Sequence, residues 1–400
     1  MVQALKRLGH HVAFIYLDCG KPVDWQAMQT FYGEALVRIP IRAPQELGEG
    51  RAADAEGADK PLPVIRYVLP HGLVLMLDRW VGRWSPAPDA AAEEAQRVWN
   101  VDDWFDASAL EPVRQVLEQQ QPDMVVGEYV FDSRIFEIVP KGCVKCLDTH
   151  DVFSRRADML SEHGIRTRWF TTSPEQEGRA LGRADIVLGI THRDCEALSA
   201  LTATPVMRLG HMPPQAEHTI PHPAHRQEEH RPTLSFIGSR NELNAHGLRW
   251  FLDTCWRTVR ERVPDVQLHV AGTCVHVEDL WHSRQGIVLH PYVDLDVFYA
   301  SADLLINPQK AGTGLKIKTY EALMYGKAMV GTSVAAVDLE DGICVCDTTN
   351  AFTEAVTGML LDPGQRQAQE KKARLAYGRY KAEVAEALDH LLVFTKEGVS

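Results

Sequence analysis

The feature that most constrains this chain is a repeated alternation of short apolar runs with amphipathic helical stretches, interrupted once. In the first half HVAFIYL (residues 11–17), MVVGEYVF (124–131) and CVKCL (143–147) read as buried strands. Each is too short for a buried helix and is bounded by Gly, Pro or polar clusters. Strands are also expected at 63–69, 72–77, 185–190 and 205–209, and an exposed loop over 44–60. Helices are expected at 2–8, 89–97 and 174–181, at 112–120, where Val113, Val116 and Leu117 share a face, and from the capping Thr191 to about 201. The second half repeats the pattern: strands at 233–237, 266–271, 287–289, 304–306, 328–331 and 343–345, helices at 244–263, 295–300 and 319–325, and a long charged helix over 363–394. A strand that returns parallel to its predecessor needs a crossover, so this alternation predicts an α/β protein with parallel sheets. The interruption is MPPQAEHTIPHPAHRQEEHRP (212–232), with five prolines, four histidines and no apolar pattern. It reads as a linker between a domain over 1–211 and a second over 233–400.

Charge excludes one class of partner. The formal net charge is −12, and both domains share the acidic excess, which leaves no basic face for nucleic acid. No apolar stretch approaches the roughly 20 residues of a membrane-spanning helix, and MVQALKRLGHHVAF does not read as a secretory signal. The eight cysteines are scattered as in a reduced, cytosolic protein.

Chemistry concentrates in NPQKAGTGLKIKTYEALMYGKAMVGT (307–332). A strand ends at Pro308, a loop with Gly312 and Gly314 follows, and a helix starts near Lys318. Glycine lets backbone approach a ligand, and a helix N-terminus offers unpaired amides and partial positive charge. Lys316 and Lys318 add full charges there, which makes a phosphate site. One turn into the helix, Glu321 can accept hydrogen bonds from vicinal ribose hydroxyls. An ordinary strand–loop–helix joint with two solvated lysines is the competing reading. By residue type alone, Asp148-Thr149-His150-Asp151 is a capping and turn cluster at the end of a strand.

The series GTGLKIK (312–318), EAL (321–323), GK (326–327) and VGT (330–332) resembles the nucleotide-sugar site of glycosyltransferase family 4, a retaining group with the GT-B fold. FIGSRNELNAHGLRWFL (236–252) is similar to the family's first C-terminal strand and helix, and LHPYVDLDVFYASADLLINP (289–308) to the segment that cradles the base. LDTHDVFSRR (147–156) resembles the D-T-H-D-x-F-S motif of bacterial members. The resemblance is strongest over residues 233–335 and agrees in order at four separate places.

This resemblance implies a GT-B architecture: two Rossmann-like, doubly wound parallel-sheet domains facing across a cleft. It places the donor diphosphate at Gly238, Ser239, Arg240, Gly312, Gly314, Lys316 and Lys318. Glu321 matches the second glutamate of an E-x7-E signature and would hold the ribose, while Tyr292 and Val293 would meet the base through backbone atoms. Thr313 stands where the first glutamate would contact the donor sugar, which leaves the identity of that sugar open. Ser239 takes the place of the family's arginine and His246 falls near its lysine, so Arg240 and Lys316 are the substitutes. His150 is assigned to the reaction centre and Asp151 as proton acceptor from the acceptor hydroxyl. A first domain of this type begins with a strand and a glycine-rich turn, whereas Met1 is expected to open directly on the helix: either the recorded start lies too far downstream or that strand is missing.

The expected function is retaining transfer of a sugar from a nucleoside diphosphate donor to a glycan or lipid-linked acceptor, in bacterial surface polysaccharide or glycoconjugate synthesis. No cofactor or metal is expected, because lysines already stand at the phosphates. The expected location is the cytoplasm, extending to peripheral contact with the inner face of the membrane if the acceptor is lipid-linked. Two alternatives stay open: a nucleotide-sugar epimerase of similar fold, and a non-catalytic module that binds a nucleotide sugar or a partner. Cys143 and Cys146, spaced CxxC, read as buried strand cysteines, and the linker histidines as solvated. Trp80, Trp84, Trp99 and Trp104 fit core packing or an acceptor surface, and Arg155, Arg156, Arg166 and Arg168 a helix face or an anionic acceptor.

Overall fold

The computed structural model describes residues 11–18, 36–40, 73–78, 98–103, 107–165, 171–211, 231–281 and 284–397. Residues 212–230 of the linker, the expected helices at 2–8 and 89–97, the strand at 63–69, the loop at 44–60 and Trp80, Trp84 and Trp104 lie outside the described residues, as do Arg166 and Arg168. In the first domain β1 (His11–Asp18), β2 (Leu36–Pro40), β3 (Leu73–Asp78), β4 (Met124–Glu128), β5 (Val144–Asp148), β6 (Ile186–Gly189) and β7 (Val206–Arg208) form one sheet in the order β2-β1-β3-β4-β5-β6-β7. Every pairing in it is parallel. The crossovers include α1 (Ala107–Gln120), α2 (Arg156–Glu162), α3 (Pro174–Leu181) and α4 (His192–Ser199). Ser173 accepts from Gln176 N at 3.2 Å and Thr191 from Asp194 N at 3.0 Å, so two of these helices start at side-chain caps. The helix expected from Pro112 begins earlier, at Ala107, and runs through the proline. The expected strand at 124–131 stops at Glu128 and passes into 3-10 turns over Val130–Ile138.

The second domain holds β8 (Thr233–Ile237), α5 (Glu242–Thr254), α6 (Trp256–Arg262), β9 (Gln267–Ala271), β10 (Ile287–His290), α7 (Leu295–Ser301), β11 (Leu304–Asn307), α8 (Ile317–Met324), β12 (Met329–Gly331), α9 (Ser333–Ala336), β13 (Cys344–Val345), α10 (Thr349–Leu361) and α11 (Pro363–Glu397). Its parallel sheet runs β10-β9-β8-β11-β12-β13. Strand order therefore reverses between β8 and β11, and an open sheet binds ligands in the crevice at such a reversal. The single helix expected over 244–263 is two, broken at Cys255. Thr254 Oγ1 donates to Trp250 O at 2.7 Å, a back-bond that bends helices.

Apolar burial joins the domains. Met124, Val126, Cys146 and Leu188 belong to the same core cluster as Tyr320, Tyr380, Val384, Leu388 and Leu391. Helix α11, although it belongs to the second domain in sequence, thus shares a core with the first-domain sheet. Polar contacts reinforce it: Arg208 Nη1 lies 2.9 Å from Glu383, and Arg208 Nε donates to Asp338 at 3.0 Å. These bonds fix how the two sets of strand ends face each other.

Candidate active site

The carboxyl ends of β4, β5, β8 and β11 open onto one interdomain cleft of about 890 Å³. On the second-domain wall, β8 ends at Ile237 and the chain turns through Gly238 and Ser239 to the Asn241 cap of α5. A Cβ on Gly238 would sit 2.9 Å from Asn244 Nδ2, so only glycine lets this turn close on the helix. Asn244, itself buried, donates to Ser239 O at 2.9 Å and accepts from Lys318 Nζ at 2.7 Å. Lys318 also lies 5.2 Å above the Phe236 ring. Arg240 is exposed at the rim, its backbone N–H donating to Thr273 Oγ1 at 2.8 Å.

The loop after β11 supplies the rest of that wall. Gly312 (φ +137°) and Gly314 (φ +69°) adopt backbone that side chains disfavour. Lys316, at the N-cap of α8, is buried, and its ammonium donates to Thr313 O and Gly314 O, each at 2.8 Å. Burial pushes Lys316 and Lys318 down to about 8, because the apolar surroundings disfavour their charge; Asp194 opposes this at Lys316. Glu321, one turn into α8, accepts from the Tyr299 hydroxyl at 2.6 Å, and burial raises its pKa against the opposing Tyr299 and Lys318.

The first-domain wall comes from β4 and β5. His150 and Asp151 follow β5 and line the cleft. His150 has φ +57°, and its carbonyl packs so closely on the facing loop that a Cβ on Gly314 would lie 3.2 Å away. Its Nε2 is 3.7 Å from Glu128 and 3.8 Å from Asp148, and its ring centroid is 4.8 Å from that of Tyr129. Asp151 pairs with the buried Arg156 through Oδ2 and accepts from Val152 N at 2.9 Å through Oδ1, so both its oxygens are engaged. Arg156 stacks 4.5 Å from the Phe153 ring, and desolvation lowers it to about 10.

Thus His150, Asp151, Gly238, Ser239, Arg240, Thr313, Gly314, Lys316, Lys318 and Glu321 come together around one cavity. Gly312 instead lines a smaller adjoining cavity of about 40 Å³ with Thr313, Asp151 and Arg156. Tyr292 and Val293 do not line the cleft: Tyr292 is 93% exposed, and Leu295, at the start of α7, reaches the cavity in their place. Tyr129 and Glu128, absent from the sequence-derived set, stand at the site because β4 ends three residues before its apolar run does. The carboxylates of Asp294 and Asp296, close in sequence to that wall, are spent locally: Asp294 caps α7 at 3.0 Å from Val297 N, and Asp296 accepts from the Tyr325 hydroxyl. Among the described residues no group of three or more His, Cys, Asp or Glu side chains is gathered as for a metal ion, and no helix is long and apolar enough to cross a membrane. Cys143 and Cys146 are buried thiols, both raised by desolvation, Cys143 to about 12.

Residues 231–362 match the family model described as glycosyl transferases group 1. No curated protein matches the chain. Among solved structures, sucrose-phosphate synthase from Thermosynechococcus elongatus superposes with a TM-score of 0.55 at 13% identity, covering 81% of this chain and 88% of that one. α,α-Trehalose 6-phosphate synthase from Burkholderia multivorans gives 0.54 at 11%, covering 96% and 99%. Anabaena Alr3699/HepE, solved with UDP and glucose, gives 0.52 at 11%, covering 95% and 100%. At such identities the likeness is one of fold, and it is the GT-B arrangement of two Rossmann-like domains across a cleft. The group 1 match thus lies on the domain that carries the glycine–lysine loop, within a chain of GT-B fold.

Proposed function

We propose that the cleft binds a nucleoside diphosphate sugar and passes the sugar, with retention of configuration, to a hydroxyl of a glycan or lipid-linked acceptor. The observation that carries this reading is the close approach of the Gly314 loop to the His150 carbonyl across one cavity, so close that a Cβ on Gly314 would lie 3.2 Å from that oxygen. It sets a phosphate-binding loop and a polar strand end within reach of one sugar. Lys316, Lys318 and the N-terminus of α8 offset the charge of the diphosphate, with Arg240 at the rim, so the proposed chemistry proceeds without a metal ion. Glu321, one oxygen fixed by Tyr299, takes the ribose hydroxyls. UDP and glucose in Alr3699/HepE, a protein of the same fold, support a donor of this class.

Both oxygens of Asp151 are engaged, so the proposed proton path runs from the acceptor hydroxyl to the departing phosphate rather than to this carboxylate. The chain itself supplies position and charge stabilisation of the leaving diphosphate. We place the reaction at the cytoplasmic face of a bacterial membrane, in assembly of a surface glycan. The test is calorimetric titration with UDP, GDP and ADP, followed by NMR of donor incubated with the enzyme in EDTA. Binding of one nucleotide and slow, EDTA-insensitive release of the sugar with its anomeric configuration kept are expected, both lost in Glu321→Ala. Conversion to an epimeric donor, or binding with no turnover on any acceptor, would replace transfer by the epimerase or the binding-module reading.

A further inference from the structure

The carboxylates of Glu128 and Asp148 are directly opposite each other in the β4–β5 register and are largely buried, with side chains 15% and 14% exposed. Like charges so placed in a poorly solvated site favour either protonation of one acid or a cation between them. Both strands end here, and both turn through positive φ immediately beyond, at Tyr129 (+63°) and His150 (+57°). Backbone of this kind costs about 1–3 kcal/mol per residue and concentrates at functional sites. The result is the His150 ring over Tyr129, its Nε2 within 3.8 Å of both acids.

We propose that Glu128 and Asp148 are positioning residues that hold His150 as an imidazolium in the cleft, where it adds positive charge at the departing diphosphate. This rests on the transferase reading. Among the described residues, the other charged groups near His150 have partners of their own. Asp151 is paired with Arg156, and Lys316 of the facing loop has Asp194 on its other side. His211, beyond β7, is pushed down to about 4 by burial and is neutral at working pH. Among the described residues, two carboxylates thus stand within 3.8 Å of the imidazole Nε2. Burial and the neighbouring Glu128 raise the pKa of Asp148, and a charge on His150 lowers it. The histidine so charged takes part of the work of the arginine whose place Ser239 occupies.

The decisive measurement is an NMR titration of the His150 ring in the intact protein without nucleotide, assigned by its disappearance in His150→Gln. The ring should titrate at least one unit above the ordinary value of about 6.5. Glu128→Gln and Asp148→Asn should each lower it by about one unit, and Glu128→Asp should restore most of the rise. In donor hydrolysis kcat/KM should fall as pH rises through the same value, and in Glu128→Gln the fall should move to lower pH. Titration at or below the ordinary value in the unsubstituted protein overturns the proposal, as does a kcat/KM that rises with pH through it. Because the titration needs no turnover, failure to bind any nucleotide would defeat the transferase reading while the elevated His150 titration still stood.

Discussion

On the second-domain wall of the cleft, the glycine–lysine loop closes partly on itself, Lys316 donating to Thr313 and Gly314, and the Gly238–Asn244 turn packs beside it. The first-domain wall collects side chains from the ends of two strands, and Glu128 meets Asp148 because β4 and β5 pair in register. Loop geometry gathers two lysines locally on one side, whereas sheet register assembles an acid–imidazole cluster on the other. On the proposed function, one wall receives a fixed anionic group and the other sets the charge of a group that faces it. The two should therefore fail differently when disturbed.

The largest effect is expected from Lys318→Ala. The lysine is held by Asn244 and the Phe236 ring and faces the cavity, so its charge is aimed before any ligand arrives. A charge-assisted hydrogen bond is worth ~1.5–3 kcal/mol, which corresponds to about a 10- to 150-fold loss of affinity for the nucleoside diphosphate. Calorimetry on the variant should show this loss, with the His150 titration unmoved. A parallel shift of His150 would mean that the walls are electrostatically one unit, and the comparison would collapse.

The same contrast explains what could be read from the sequence. Caps at Ser173, Thr191, Asn241 and Asp294 and the glycine–lysine loop are written in adjacent residues, because the atoms that satisfy them lie within a few positions. β11 and β12, buried along their whole length, were legible for a related reason, since a strand buried on both faces reads as an apolar run. Glu128 and Tyr129 were not legible. GEYVF continues the apolar pattern of β4, and nothing local says that the strand stops at Glu128 or that its carboxylate meets Asp148. The break at Cys255 was hidden because the apolar face continues through it, and the Thr254 back-bond to Trp250 that bends the helix there leaves no mark in the polarity pattern. Nor does the charged pattern of α11 reveal that Leu388 and Leu391 share a core with the first domain.

Gly314→Ala tests the seam between the walls and should have an intermediate effect. The left-handed backbone at φ +69° costs a non-glycine residue roughly 1–2 kcal/mol. The new methyl must also press on His150 O at 3.2 Å. Thermal melts should fall by a few degrees. Turnover should drop about 10- to 100-fold, since small displacements of reacting groups are that costly. Nucleotide affinity should change less than threefold, because the lysines stay in place. Equal losses in affinity and turnover would show that the loop, rather than its contact with His150, carries the effect.

The smallest effect is a pH dependence whose sign separates the walls. Burial holds Lys316 and Lys318 at about 8 in the folded protein, whereas an unfolded chain keeps lysine protonated to about 10.4. Between those values the unfolded state binds more protons, so the stability of the ligand-free protein should rise with pH. Diphosphate affinity should move the opposite way, because it needs the charged lysines. From pH 7.5 to 8.5 the protonated share of a group with pKa near 8 drops about threefold, and affinity for UDP should drop by about that factor for each lysine that meets the phosphates. Urea melts and calorimetry on the same samples would follow the two trends together. Stability and affinity that fell in step would place both lysines in the fold's own ion pairs, and the second-domain wall would then hold no charge in reserve for the donor.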